Sequence, residues 1–148
     1  MTTSSMTKLP DRARRRRLVT DLARAEMTFD AAVLELLVAR DPDDLEALVN
    51  LAQVCARLGR HRRGLSLDRK LVEARPNEPT FRYNLACSLA LTGDLNAACG
   101  DLLVAIDIGY RDFEHLMADD DLAELRQDNR FVLVRDRMAS EGFVLPAS

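Results

Sequence analysis

Pro42 and Pro76 lie 34 residues apart, Gly59 and Gly93 lie 34 apart, and the triplet Asn50-Leu51-Ala52 returns at the same offset as Asn84-Leu85-Ala86. A recurrence of that length is the mark of stacked helical hairpins, in which each unit buries its apolar face on the next and none is stable alone. Such arrays present an extended surface. The period therefore points towards holding another macromolecule rather than transforming a small one.

Composition supports helices. Ala, Leu and Arg dominate, aromatics make up 5% and Trp is absent, a selection of good helix formers poor in the residues that favour strands. The predicted class is all-α, and 148 residues suit one domain. Cys55, Cys87 and Cys99 are odd in number, lack a Cys-x-x-Cys spacing and have no adjacent histidine, so they read as buried free thiols in a reducing compartment rather than as disulfides or zinc ligands. No run approaches the roughly 20 apolar residues that span a bilayer. The N-terminus lacks the apolar stretch of a secretory signal, and Asp11 and Asp21 weigh against an organelle transit peptide. The expected location is cytoplasmic.

Along the chain, residues 1–10 are expected to be a disordered tail and 11–140 a single domain, with 141–148 a second tail. Within the domain, Asp11 is placed to cap a first helix to Met27 carrying Leu18, Leu22 and Ala25 on one stripe. A second helix from Thr28 would put Phe29, Val33, Leu36 and Leu37 inward and stop at Asp41-Pro42, giving a hairpin over 11–41. The unit 45–78 pairs a helix capped by Asp43 or Asp44, with Leu48, Leu51, Ala52 and Cys55 inward, with a helix over 60–75 after Gly59. The unit 79–110 repeats it around Thr92-Gly93-Asp94. Residues 112–140 form a cap, in which Phe131, Val134 and Met138 seal the end of the stack.

The two units starting at Leu45 and Pro79 resemble tetratricopeptide repeats. The small eighth residue is Ala52 and Ala86, the leucine-like seventh is Leu51 and Leu85, the small twentieth is Gly64 and Ala98, and Pro76 closes the first unit. Three positions depart from that pattern: Arg82 stands at a bulky place, Asp68 at an aromatic one and Tyr110 where proline is expected. The resemblance implies a right-handed superhelix whose leading helices line a concave groove. It assigns to that groove Glu46, Val49, Asn50, Gln53 and Arg57 in one unit and Thr80, Tyr83, Asn84, Cys87 and Leu91 in the other. Amides, an aromatic and aliphatics together suit a peptide, whose backbone asparagines can pin. The alternative for Asn50 and Asn84 is a hydrogen bond between repeats. The lysines with which some members of this family clamp acidic chaperone tails are missing.

Arg12, Arg14, Arg15, Arg16 and Arg17 form the strongest charge feature. Residues 1–25 hold seven basic and two acidic side chains, a net +5, against −3 for the whole chain and therefore −8 for the rest. The block offers an electrostatic tether to nucleic acid or an anionic surface, but no aromatic lies among the arginines to stack on bases. His61 and His115 are isolated from each other and neither has ligand spacing to a cysteine, and neither a nucleophile beside a base nor a phosphate loop is present. The expectation is a non-enzymatic interaction module, an adaptor or scaffold without cofactor or metal, binding a protein or peptide. Self-association into a homo-oligomer through an exposed end of the stack is the alternative.

Overall fold

A computed structural model describes residues 12–146. Asp11 and its capping role lie outside the described residues, as do the tail 1–10 and the last two residues. Among the described residues every regular element is helical: α1 (Arg12–Arg40), α2 (Leu45–Arg57), α3 (His61–Ala74), α4 (Pro79–Leu91), α5 (Leu95–Asp107), α6 (Phe113–Ala118), a 3-10 turn (Asp120–Leu122), α7 (Ala123–Gln127) and α8 (Phe131–Ser140). None of these helices is long and apolar enough to cross a membrane.

The first hairpin expected over 11–41 is instead one helix of 29 residues. The stretch around Met27 and Thr28 contains no glycine or proline to break it. The Thr28 hydroxyl donates to the Arg24 carbonyl at 2.8 Å, so the one residue with turn character is satisfied inside the helix. The buried face changes accordingly. Ala31 and Val38 are buried with Met27 and Leu34 packed beside them, whereas Phe29 and Leu36, expected inward, are 69% and 72% exposed. Val33 and Leu37 are exposed with them, because no second helix folds back to cover that side.

The next two pairs follow the period. The Asp44 carboxylate accepts from the Ala47 amide at 3.0 Å and starts α2; Asp94 does the same for Ala97 and α5. At the other end, Gly59, Gly93 and Gly109 take φ of +71°, +93° and +118°. In each case the following amide reaches back five residues: Arg60 to Cys55 O, Asp94 to Leu89 O and Tyr110 to Ala105 O, at 2.8–2.9 Å. This is the helix-terminating bond that a left-handed glycine permits. Turns this tight at Gly59 and Gly93 send α3 back along α2 and α5 back along α4. Sequential helices pack on one another from α1 to α5, and α8 returns onto α5.

Two apolar clusters result. Leu48, Leu51, Cys55, Leu67 and Leu71 join α2 and α3 to the Ala31–Val38 face of α1. A larger cluster holds Leu85, Ala86, Leu102 and Ile106 of the second pair together with Leu116, Leu122, Leu125, Phe131, Val134 and Met138 of the C-terminal segment. Phe81 touches both. Residues 141–146 are not a free tail: the Phe143 amide donates to Met138 O, and its ring meets Phe113 edge-on at 5.5 Å. The three cysteines are free and buried.

Candidate functional site

A cleft of about 510 Å³ opens between α2 and α4, with α3 behind it and the α6 to 3-10 segment closing one end. It is built by register. Helix α2 turns Val49, Ala52, Gln53 and Ala56 towards it over two turns, and α4 answers with Thr80, Tyr83, Asn84, Cys87 and Leu91. Eight of the ten residues assigned to a groove from the sequence line the cleft: Val49, Gln53, Arg57, Thr80, Tyr83, Asn84, Cys87 and Leu91. Glu46 and Asn50 do not. They are exposed one step further round α2, and with α1 a single helix no leading helix of an earlier unit stands there to extend the trough. Asn50 and Asn84, equivalent by spacing, are thus in different surroundings, Asn84 being half-buried in the cleft wall.

Tyr83 and Cys87 form the floor rather than a free binding surface. The Tyr83 ring stacks on Tyr110 with centroids 4.3 Å apart and planes 2° from parallel. Its hydroxyl donates to Asp119 Oδ2 at 2.6 Å. Burial pushes the Tyr83 phenol well above its ordinary range, and the neighbouring Cys87 and Asp119 add to this, so the hydroxyl is held as a donor. The Cys87 thiol lies 3.8 Å from the same oxygen, and burial, with the charges of Asp119 and Asp121, pushes it up too. Burial thus disfavours the Cys87 thiolate.

The cleft also gathers residues that no motif connects. His61 and His115, far apart in the chain, both line it, with Asp119 and Asp121 between the elements that carry them. His115 Nε2 is 3.3 Å from Asp119 Oδ2, one helical turn along. Asp121 is raised from the usual carboxylate range by burial and by Asp119, with His61 acting against that. Donor atoms of Cys87, Asp119 and Asp121 lie within 4.8 Å of one another, the one such group among the described residues. Hydrogen bonds account for that closeness: Asp119 accepts from Tyr83 and, through its other oxygen, from the Asp121 amide at 3.0 Å.

Behind the cleft, Asp68 of α3 is 5% exposed and accepts a 2.5 Å hydrogen bond from the Ser88 hydroxyl of α4. Burial raises its carboxyl to about 6 although the Ser88 bond works the other way. A charged residue on the apolar stripe of α3 was the available signal, and Ser88 opposite it could be paired only once α3 and α4 were in contact.

The arginines of the basic block are exposed and point all round α1, as residues 12 and 14–17 must on a helix turning 100° per residue. They are remote from the cleft lining. Two ion pairs fix the walls instead. Arg63 of α3 donates through Nε and Nη2 to both oxygens of Glu35 of α1 at 2.8 and 2.6 Å, and Arg82 of α4 reaches Asp101 of α5 at 2.9 Å. The Arg63 bond holds the Glu35 carboxyl below its usual range. No protein-family model matches the chain, and no curated protein sequence matches it.

Proposed function

We propose that the chain is a tetratricopeptide-like stack of helical hairpins that binds a peptide segment in the cleft between α2 and α4, without chemistry of its own. The observation that carries this reading is the division of labour among the cleft residues. Its floor is internally bonded through Tyr83, Tyr110 and Asp119, whereas its rim offers side chains with spare polar capacity. Gln53, Arg57 and Thr80 are exposed, Asn84 is half-buried, and none of the four has a side-chain hydrogen bond to the described residues inside the cleft. Val49 and Leu91 add partly exposed aliphatic surface. Rigid walls with adaptable amides suit an extended main chain, whose N–H and C=O groups Gln53 and Asn84 can both satisfy. Asp119 and Asp121 at the closed end favour a ligand with a basic side chain.

A phage-displayed library of random peptides, selected on the full chain, tests the reading. Enriched peptides should be rich in Lys or Arg. Their affinity should fall about tenfold or more for the triple variant Gln53→Ala, Asn84→Ala, Leu91→Ala, which removes rim contacts and leaves the floor in place. Absence of enrichment, or equal affinity for the variant, refutes groove binding.

A further inference from the structure

We propose that α1 pairs with the α1 of a second copy of this chain, antiparallel, along the side facing away from α2. This does not depend on the peptide-binding reading. Once α1 is a single helix, its exposed apolar residues fall into one register. Leu22, Phe29 and Leu36 are seven apart, and Leu18, Ala25 and Ala32 interleave with them at alternating steps of four and three. All six are exposed. A 3.5-residue apolar repeat kept over three heptads is the seam that a second helix fills. It lies nearly opposite Ala31 and Val38, which are buried against α2, so α1 presents apolar surface on two sides and its own fold uses one.

The area suits a dimer. On the seam Leu18, Leu22, Phe29 and Leu36 are 55–72% exposed, and Val19, Val33 and Leu37 flank it at 40–63%, an apolar band on the order of several hundred Å² beside the roughly 800 Å² that each partner contributes to a standard interface. The first fifteen residues of α1 are all exposed, and a helical extension of that length is marginal in water unless something packs on it.

Side-chain sizes choose the orientation. Parallel helices would set Phe29 on Phe29 and Ala25 on Ala25, alternately too wide and too narrow. Antiparallel helices set Phe29 against Ala25 of the second copy and Leu22 against Ala32, so in the central layers large residues meet small ones and interdigitate, with a Leu18–Leu36 layer at each end. The same register brings the arginines at 12 and 14–17 beside the C-terminal end of the other α1, which carries Arg40 but has the negative end of the helix dipole and is followed by the exposed carboxylates Asp41 and Asp43. Glu26 then meets its own copy at the two-fold axis, and Asp21 lies near Glu35, whose charge Arg63 already offsets. A membrane fits this face less well, because Asp21, Glu26 and Asp30 lie on the middle of the helix among its apolar residues and anionic lipid repels them.

Sedimentation equilibrium of the full chain over about 1–100 µM, a span that covers ordinary specific association, should show a dimer. The double variant Leu22→Asp, Leu36→Asp should weaken the dimer about 100-fold or more with unchanged far-UV circular dichroism, since both side chains are exposed and their loss leaves the core intact. Under mild oxidation Glu26→Cys should crosslink to itself while Leu22→Cys does not. The reverse pattern overturns the antiparallel register. A monomer at every concentration, or a dimer indifferent to the double variant, overturns the proposal. A monomer that cosediments with phosphatidylserine vesicles assigns the face to a membrane instead and overturns it too.

Discussion

Asp68→Asn should make the protein more stable at neutral pH and leave it unchanged in acid. Asp68 is almost fully buried between α3 and α4, with the Ser88 hydroxyl 2.5 Å away and its carboxyl raised from 3.8 to about 6. Well below pH 3.8, at about pH 3 and under, the group is protonated whether the chain is folded or not, and it contributes no pH dependence. As the pH rises from 4 to 6 the unfolded chain releases its proton first, so the native state is the one binding more protons and stability falls. The interval is roughly two pH units at about 1.4 kcal/mol each, so ionised Asp68 costs the folded state on the order of 3 kcal/mol above pH 6. An amide keeps an oxygen to accept from Ser88 and carries no charge to desolvate. The variant should therefore gain about 2–3 kcal/mol at pH 7.5, a rise of roughly 5–10 °C in Tm for a domain of this size. Urea and thermal denaturation of both proteins from pH 4 to pH 8 measures it. A variant less stable than wild type at pH 7.5, or a difference between the two that does not grow with pH, refutes the reasoning.

The other expected outcomes come from single geometric facts. Tyr83→Phe keeps the ring on Tyr110 but removes the donor to Asp119, and should cost about 1.5–3 kcal/mol in urea denaturation, as loss of a hydrogen bond to a charged group does. An unchanged midpoint would mean that the bond contributes nothing. Gly93→Ala and Gly100→Ala form a matched pair, because a Cβ at either position meets no atom within 4 Å. Gly93 has φ +93°, so alanine there should lose about 1–2 kcal/mol through backbone strain alone. Gly100 is inside α5, where alanine should gain about 0.5–1 kcal/mol of helix propensity. Changes of the same sign in thermal melts would contradict the account.

How far the fold could be read depended on whether its signal was local. Asp44, Gly59, Asp94 and Gly93 act on their own turn, so the two central helix pairs emerged with their bounds within a residue or two. The inward faces of α2, α4, α5 and α8 followed from 3.6-residue periodicity. Helix α1 failed for a physical reason. It is apolar on two opposite sides, so periodicity has no unique face to choose, and the turn character of Thr28 is absorbed by its bond to the Arg24 carbonyl. The cleft was half legible for the same kind of reason. The resemblance to tetratricopeptide repeats implies a groove lined by α2 and α4, and Gln53 and Asn84 are reached through it. The 3-10 turn bearing Asp119 and Asp121 lies beyond the period and is held by tertiary bonds such as Arg126 to the Leu116 and Asp119 carbonyls.

The three departures from the repeat pattern show what the rest of the sequence encodes. Arg82, at a place for a bulky apolar residue, reaches Asp101 on α5; Asp68, at an aromatic place, takes the Ser88 hydroxyl of α4; Tyr110, where proline is expected, stacks on Tyr83. Each makes a directed contact between neighbouring elements. Directed contacts fix the spacing of α3, α4, α5 and the C-terminal segment more narrowly than apolar packing does, because hydrogen bonds and ring stacks tolerate little displacement. All three contacts involve α4, the helix that supplies Tyr83, Asn84 and Cys87 to the cleft. The residues least like a repeat are therefore the ones that hold the candidate binding wall in place, and the cost of the buried Asp68 carboxylate is the part of that arrangement a pH titration of stability reads directly.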